Sequence, residues 1–167
     1  MKSSVAVALL LSLTMPCVAG AGSRGPSTSE ERAKAVQLVH LLEAQPLHKD
    51  AKSARTWLLA WLAEVPDITV SMCPALLGLH VEKREKYAAE LALQQALSSA
   101  AFIIEKPDQA SNPAAVDLAG VEGVLRAYEA LLAAKPTARI PSLDALLKAR
   151  ADGTLAGVVA ENAKGCG

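Results

Sequence analysis

From residue 29 onward, stretches in which apolar residues recur every three or four positions alternate with short breaks marked by proline. Thr28 and Glu31 stand at capping-box spacing, where each side chain satisfies a backbone amide of the first turn. They predict a helix to about Ala44, with Val36, Leu38, Val39, Leu41 and Leu42 on its apolar side and Pro46 as its stop. Asp50 is the expected cap of a second helix to about Glu64, on which Trp57 and Trp61, one turn apart, share a face. Pro66 interrupts the chain, because the residue before a proline avoids helical backbone. Residues 68–72 alternate like a strand, but no other segment reads as a partner strand. A short helix with an irregular entry is therefore expected there, followed by one or two helical turns from Pro74 to about Leu79.

The longest predicted helix covers residues 82–105, with Tyr87, Leu91, Leu93, Leu97, Ala101 and Ile104 in a broad apolar stripe, and Pro107 ends it. Asn112-Pro113 pairs a capping residue with proline at the first helical position, a favoured start. That helix runs to about Ala134 and buries Val121, Val124, Leu125, Tyr128, Leu131 and Leu132. Gly120 and Gly123 lie inside it. They lack the spacing of a nucleotide loop and have no preceding strand, so they read as places where another helix packs closely. Pro136 and Pro141 mark a linker, Ser142 is the expected cap of a shorter helix, Gly153 its C-terminal stop, and Thr154 the start of a last helix to about Ala163.

The pattern Leu38-x-x-Leu41-Leu42-x-x-x-Pro46 recurs as Tyr128-x-x-Leu131-Leu132-x-x-x-Pro136 and resembles the second-helix signature of tetratricopeptide repeats. The resemblance covers nine residues in each place, and no matching first helix precedes either copy. Pro107 to Pro136 is 29 residues, against a family period of about 34.

Composition sharpens the fold class. Hydrophobic residues make up 51% of the 167 and aromatic ones only 3%, so the core is built from Ala, Leu and Val. Alanine and leucine lose little side-chain freedom in a helix. The expectation is an all-α domain of six to seven helices, an irregular antiparallel bundle or short α-solenoid. The 17 basic and 17 acidic residues cancel without any block of like charge. Nucleic-acid binding needs a basic footprint to neutralise phosphates, so nucleic acid is set aside as a partner.

The first 21 residues read as a secretory signal, with Lys2 as a minimal charged start, an apolar run over residues 5–13, Pro16, and the small-x-small pattern Ala19-Gly20-Ala21. The apolar run is too short to span about 30 Å of hydrocarbon. Lipidation at Cys17 is disfavoured by Met15 and Pro16 before it. Cleavage after Ala21 leaves a single helical domain over residues 22–167, periplasmic or extracellular, with no stable membrane insertion. Cys73 and Cys166 then remain and are expected to form one disulfide, tying down a glycine-flanked tail that would otherwise fray.

Known chemical motifs are sparse. His40, His48 and His80 form no metal-ligand spacing, and His80-Val81-Glu82 lacks the Pro-Cys-x-x-Cys that a zinc deaminase would need. There is no nucleophile elbow or phosphate loop. The charges of residues 82–90 read as a solvated face. No catalytic residue, metal or cofactor is therefore assigned. One region joins polar groups, aromatics and a helix break: Arg55, Trp61, Glu64 and Asp67, which are taken as candidate binding contacts. The leading expectation is a non-enzymatic module of the cell envelope that binds a protein or envelope component. A carrier of a small apolar ligand between helices is the alternative, and an enzyme assembled from distant carboxylates is the third class.

Overall fold

A computed structural model describes residues 24–79 and 86–166. The expected export segment (residues 1–21), Cys17, His80 and residues 82–85 lie outside them. The described chain forms six α-helices: α1 (Ser29–Ala44), α2 (Ala51–Glu64), α3 (Ala88–Glu105), α4 (Pro113–Ala134), α5 (Pro141–Ala151) and α6 (Leu155–Asn162). Single 3-10 turns occupy Pro74–Leu77, Pro107–Gln109 and Ala163–Cys166. No strand occurs among the described residues, and the architecture is an all-α helical bundle.

Local chemistry explains most helix ends. At the start of α1, Thr28 and Glu31 form the reciprocal capping box, and at α4 the Asn112 side chain accepts from the Ala115 amide with Pro113 at the first position. Gln45, Lys106 and Lys135 each precede a proline, and each leaves helical backbone (φ −143°, −130° and −142°). Steric conflict with the proline ring forbids continuation. The stretches that resemble a repeat signature are thus the proline-terminated ends of α1 and α4.

Several expectations need correction. Asp50 makes no side-chain capping bond to α2. Residues 68–72 form no helix; Ile68 is buried there as an anchor of an otherwise irregular segment. The helix expected from residue 82 has its described start at Ala88, because Tyr87 sits outside it in the left-handed region at φ 71°. At 22 residues α4, not α3, is the longest helix. Pro141 begins α5 instead of preceding it, so the cap position falls on Ile140 and not on Ser142.

The apolar interior has two parts. One is built by α1, α2 and α3 around Val39, Leu42, Leu58, Trp61, Leu97 and Ala101. The other gathers α4, α5, α6 and the Pro74–Leu77 turn around Leu77, Leu125, Tyr128, Leu131, Leu143 and Val159. Between them α3 meets α4 along a seam that is buried yet polar. Gln94, Gln95, Ser98 and Ser99 of α3 and Glu43 of α1 are all at most 4% exposed. Each is hydrogen-bonded, as burial requires. Gln94 donates to Ser98 (3.0 Å) and Ser98 to Glu43 (2.7 Å). Gln95 accepts the Cys73 amide (3.2 Å), and Ser99 donates to the Val116 carbonyl (3.2 Å). Opposite these groups α4 presents Gly120 and Gly123. A Cβ at Gly123 would stand 2.0 Å from Ser98 Oγ, so the close helix approach expected from the two glycines is what the fold uses.

Cys73 and Cys166 are at disulfide distance, with Cα atoms 5.7 Å apart. Asn162 adds a bond from its side chain to the Leu76 carbonyl (3.3 Å). Together they hold the C-terminal turn against Pro74–Leu77. The loop they close spans 93 residues, for which chain entropy gives about 4–5 kcal/mol. No described helix is long and apolar enough to cross a membrane.

Candidate functional site

The four residues selected from sequence occupy different surroundings. Trp61 is buried in the first core, stacked on Trp57 with ring centroids 5.8 Å apart. Glu64 lies 3.8 Å from Arg24 in an exposed ion pair. Asp67 accepts from the Ser27 hydroxyl (2.7 Å), the Ser27 amide (2.8 Å) and Arg32 (2.6 Å). These bonds, those from Ser27 foremost, hold its carboxyl far below the usual range. Glu64 and Asp67 therefore anchor the segment leading into α1. Arg55 instead donates to the Pro46 carbonyl (3.0 Å) and lines a small cavity of about 60 Å³ with Tyr87, Glu90 and Gln94. The cavity's lining includes none of the other three residues.

A denser polar cluster lies where α1, α3 and α4 meet. Glu43 faces the seam because it continues the buried stripe Ala35–Val39 by one more turn. Arg126 grips it with two bonds of 2.9 Å, Ser98 donates at 2.7 Å, and His40 Nδ1 lies at 3.1 Å. Burial works to raise the Glu43 carboxyl, but the bonds from Arg126, Ser98 and His40 outweigh it and keep it below the usual carboxylate range. His40 Nε2 lies 2.9 Å from Glu105. That bond, against partial burial and with help from Glu43, raises the imidazole. Both ring nitrogens of His40 are thus engaged by carboxylates. The arrangement is an electrostatic clamp joining three helices.

The clamp forms one wall of an open cleft of about 380 Å³, whose floor includes Ala101, Phe102, Ala115 and Leu118. Ala115 and Leu118 also line a second open cleft of about 420 Å³, on the α6 side of α4. The first turns of α4 are thus a ridge between two grooves, a mixed one bordered by the clamp, Glu105 and Glu122, and an apolar one on the α6 side. In the second cleft Ala156, Val159, Ala160 and Ala163 supply the far wall, and Asp117 is the one charged lining residue. Asp117 makes no hydrogen bond or ion pair among the described residues, and burial raises its carboxyl.

Sequence reading passed over Glu43, Arg126 and Asp117. A signal existed for Glu43, since a carboxylate at the i+4 position of a buried stripe demands a partner. Arg126 and Asp117 sit at ordinary positions on a helix, and only the packing reveals their roles.

Comparison with known proteins yields no family model, no curated protein and no solved structure that matches this chain.

Proposed function

We propose that the chain is an exported, non-enzymatic helical module that binds an apolar segment of another envelope or secreted protein, one bearing a lysine or arginine, across the α4 ridge. The observation that carries this reading is the pair of grooves sharing Ala115 and Leu118, with Asp117 standing unpaired in the more apolar one. A partly desolvated carboxylate gains most from a cation that arrives with its own apolar surroundings. The signal-like residues 1–21 and the Cys73–Cys166 pair support an oxidising location. The carrier alternative is less favoured. The cavity beside Arg55 is about 60 Å³, and the clefts that reach the roughly 300–1,000 Å³ of ligand pockets are open grooves rather than enclosed spaces between helices.

Photo-cross-linking in the cells that make the protein tests this. A photoreactive residue replacing Leu118 is expected to trap a partner peptide that is apolar and carries Lys or Arg, and Asp117→Lys should abolish the adduct. An adduct that survives Asp117→Lys, one formed equally from Lys52 on α2, or none at all contradicts the proposal.

A further inference from the structure

A different face of the molecule is arranged for an anion. Between the start of α3 and the α4–α5 connection lies an open cleft of about 420 Å³ lined by Lys86, Tyr87, Lys135, Thr137, Ala138 and Arg139. Three of these six residues are cations, two carry hydroxyls, and none is a carboxylate. Among the described residues such local segregation has an electrostatic cost that Asp144 offsets only in part. Asp144 beside the cleft takes one bond from Arg139 (3.1 Å) and also accepts from Tyr128 (3.0 Å), so Arg139 is oriented yet keeps free donors.

The backbone at this place is unusual too. Tyr87, with φ 71°, is the one residue other than glycine at positive φ among those described. A bulky residue there is strained by about 1–3 kcal/mol, and such strain gathers at binding sites. The strain sets the Tyr87 side chain between two spaces, because it lines both this cleft and the small cavity beside Arg55. The Arg55 Nε is buried there with no hydrogen-bond partner among the described residues. Tyr87 also caps α3 without giving a side-chain bond to the first-turn amides.

We infer that the Lys86–Tyr87–Lys135–Arg139 cleft binds a phosphate group. A phosphate monoester carries nearly two charges and three acceptor oxygens, which suits three cations flanked by two hydroxyls better than a monoanionic carboxylate does. The phosphate monoester can belong to a small soluble molecule or to the headgroup of a lipid that ends in one, such as phosphatidic acid, and the chemistry of recognition is the same for both. The site lies apart from the α4 ridge and does not depend on the docking role given to it.

The test uses the oxidised mature chain and its triple variant Lys86→Gln/Lys135→Gln/Arg139→Gln, with Lys34→Gln/Lys52→Gln/Lys106→Gln as a control of equal charge change. Probes are inorganic phosphate and glycerol 3-phosphate by calorimetry, and vesicles of phosphatidic acid in phosphatidylcholine by co-sedimentation. Circular dichroism first confirms that both variants fold. The expected result is a Kd of about 1 mM or tighter for at least one probe, weakened about tenfold or more in the cleft variant and little changed in the control. Binding of the soluble esters assigns a free phosphate ligand, and binding of vesicles alone assigns a lipid headgroup. Absence of binding to every probe, or equal loss in both variants, overturns the inference. If the cleft variant does not fold, amide chemical-shift mapping on the unaltered chain decides. Shifts centred on residues 86–87 and 135–139 support the site, and shifts elsewhere or none overturn it.

Discussion

Replacing Gly123 by alanine sets helix propensity against packing. In an exposed helix interior the change stabilises by up to about 1 kcal/mol. At Gly123 the new Cβ would lie 2.0 Å from Ser98 Oγ, 2.3 Å from Ser98 Cβ and 2.5 Å from Glu43 Oε1. The hydroxyl can rotate away only by giving up its bond to the buried carboxylate, a contribution of about 1.5–3 kcal/mol. Ser98 Cβ is fixed to the α3 backbone, so the two helices must also separate, and overpacking of this kind costs about 1–3 kcal/mol. The sum, less the propensity gain, predicts a net destabilisation of about 1.5–5 kcal/mol, which in a chain of this size lowers Tm by roughly 3–20 °C. Thermal and urea unfolding of the oxidised protein, followed by circular dichroism, measures it. Gly157→Ala on α6 is the internal control, because a Cβ there meets nothing within 4 Å; it should be neutral or stabilising by up to about 1 kcal/mol. A Gly123→Ala protein as stable as the parent, or more so, would refute the close α3–α4 seam.

Stability should also respond to pH through the clamp. The raised His40 imidazole contributes fully below its unfolded value of about 6.5, and that contribution disappears as pH rises through the folded value. Urea midpoints should therefore fall as pH rises from about 6.5 through that folded value, and His40→Gln should flatten this slope; an unchanged slope in the variant contradicts the clamp. The depressed Glu43 carboxyl acts in the opposite sense, giving stability that is present above its unfolded value near 4.5 and lost as pH falls through the folded one. Glu43→Gln should accordingly weaken the acid transition, read from the same unfolding curves. Tyr128→Phe should cost about 1–3 kcal/mol, because the Tyr128 oxygen is the acceptor for the buried Ile140 amide at 2.7 Å. A urea midpoint equal to the parent's would show that this amide finds another partner.

Features set by local chemistry were readable in the chain. Thr28 with Glu31 and Asn112 with Pro113 act within one helical turn, and a proline stops a helix by clashing with its own neighbour. The Trp57–Trp61 pair and the two seam glycines needed only helical periodicity. Cys73 and Cys166 are legible as a pair because they are the two cysteines outside the expected export segment.

What escaped depends on contacts between distant segments. Asp50 has capping chemistry, yet its amide bonds to His48 and Ser53 donates to its carbonyl, and the side chain makes no capping bond. Ser142 lost the cap position because Pro141 is preorganised for the first helical residue. Tyr87 was assigned to the apolar stripe from spacing, but its backbone is left-handed. Glu43 lies one turn beyond Val39 on the buried stripe, but its partner Arg126 is 83 residues away and only the packing joins them. Arg55 and Asp67 were selected for their nearness in sequence to a helix break, and the structure gives them separate partners.

Everything proposed for the α4 ridge presupposes an oxidised chain processed for export, and one measurement addresses both conditions. Intact mass spectrometry of the protein recovered from its own cells, alkylated without reductant, should find the chain of residues 22–167 with no label on Cys73 or Cys166. A mass that retains residues 1–21, a mature start at Cys17, or alkylation of both cysteines in folded protein would contradict it.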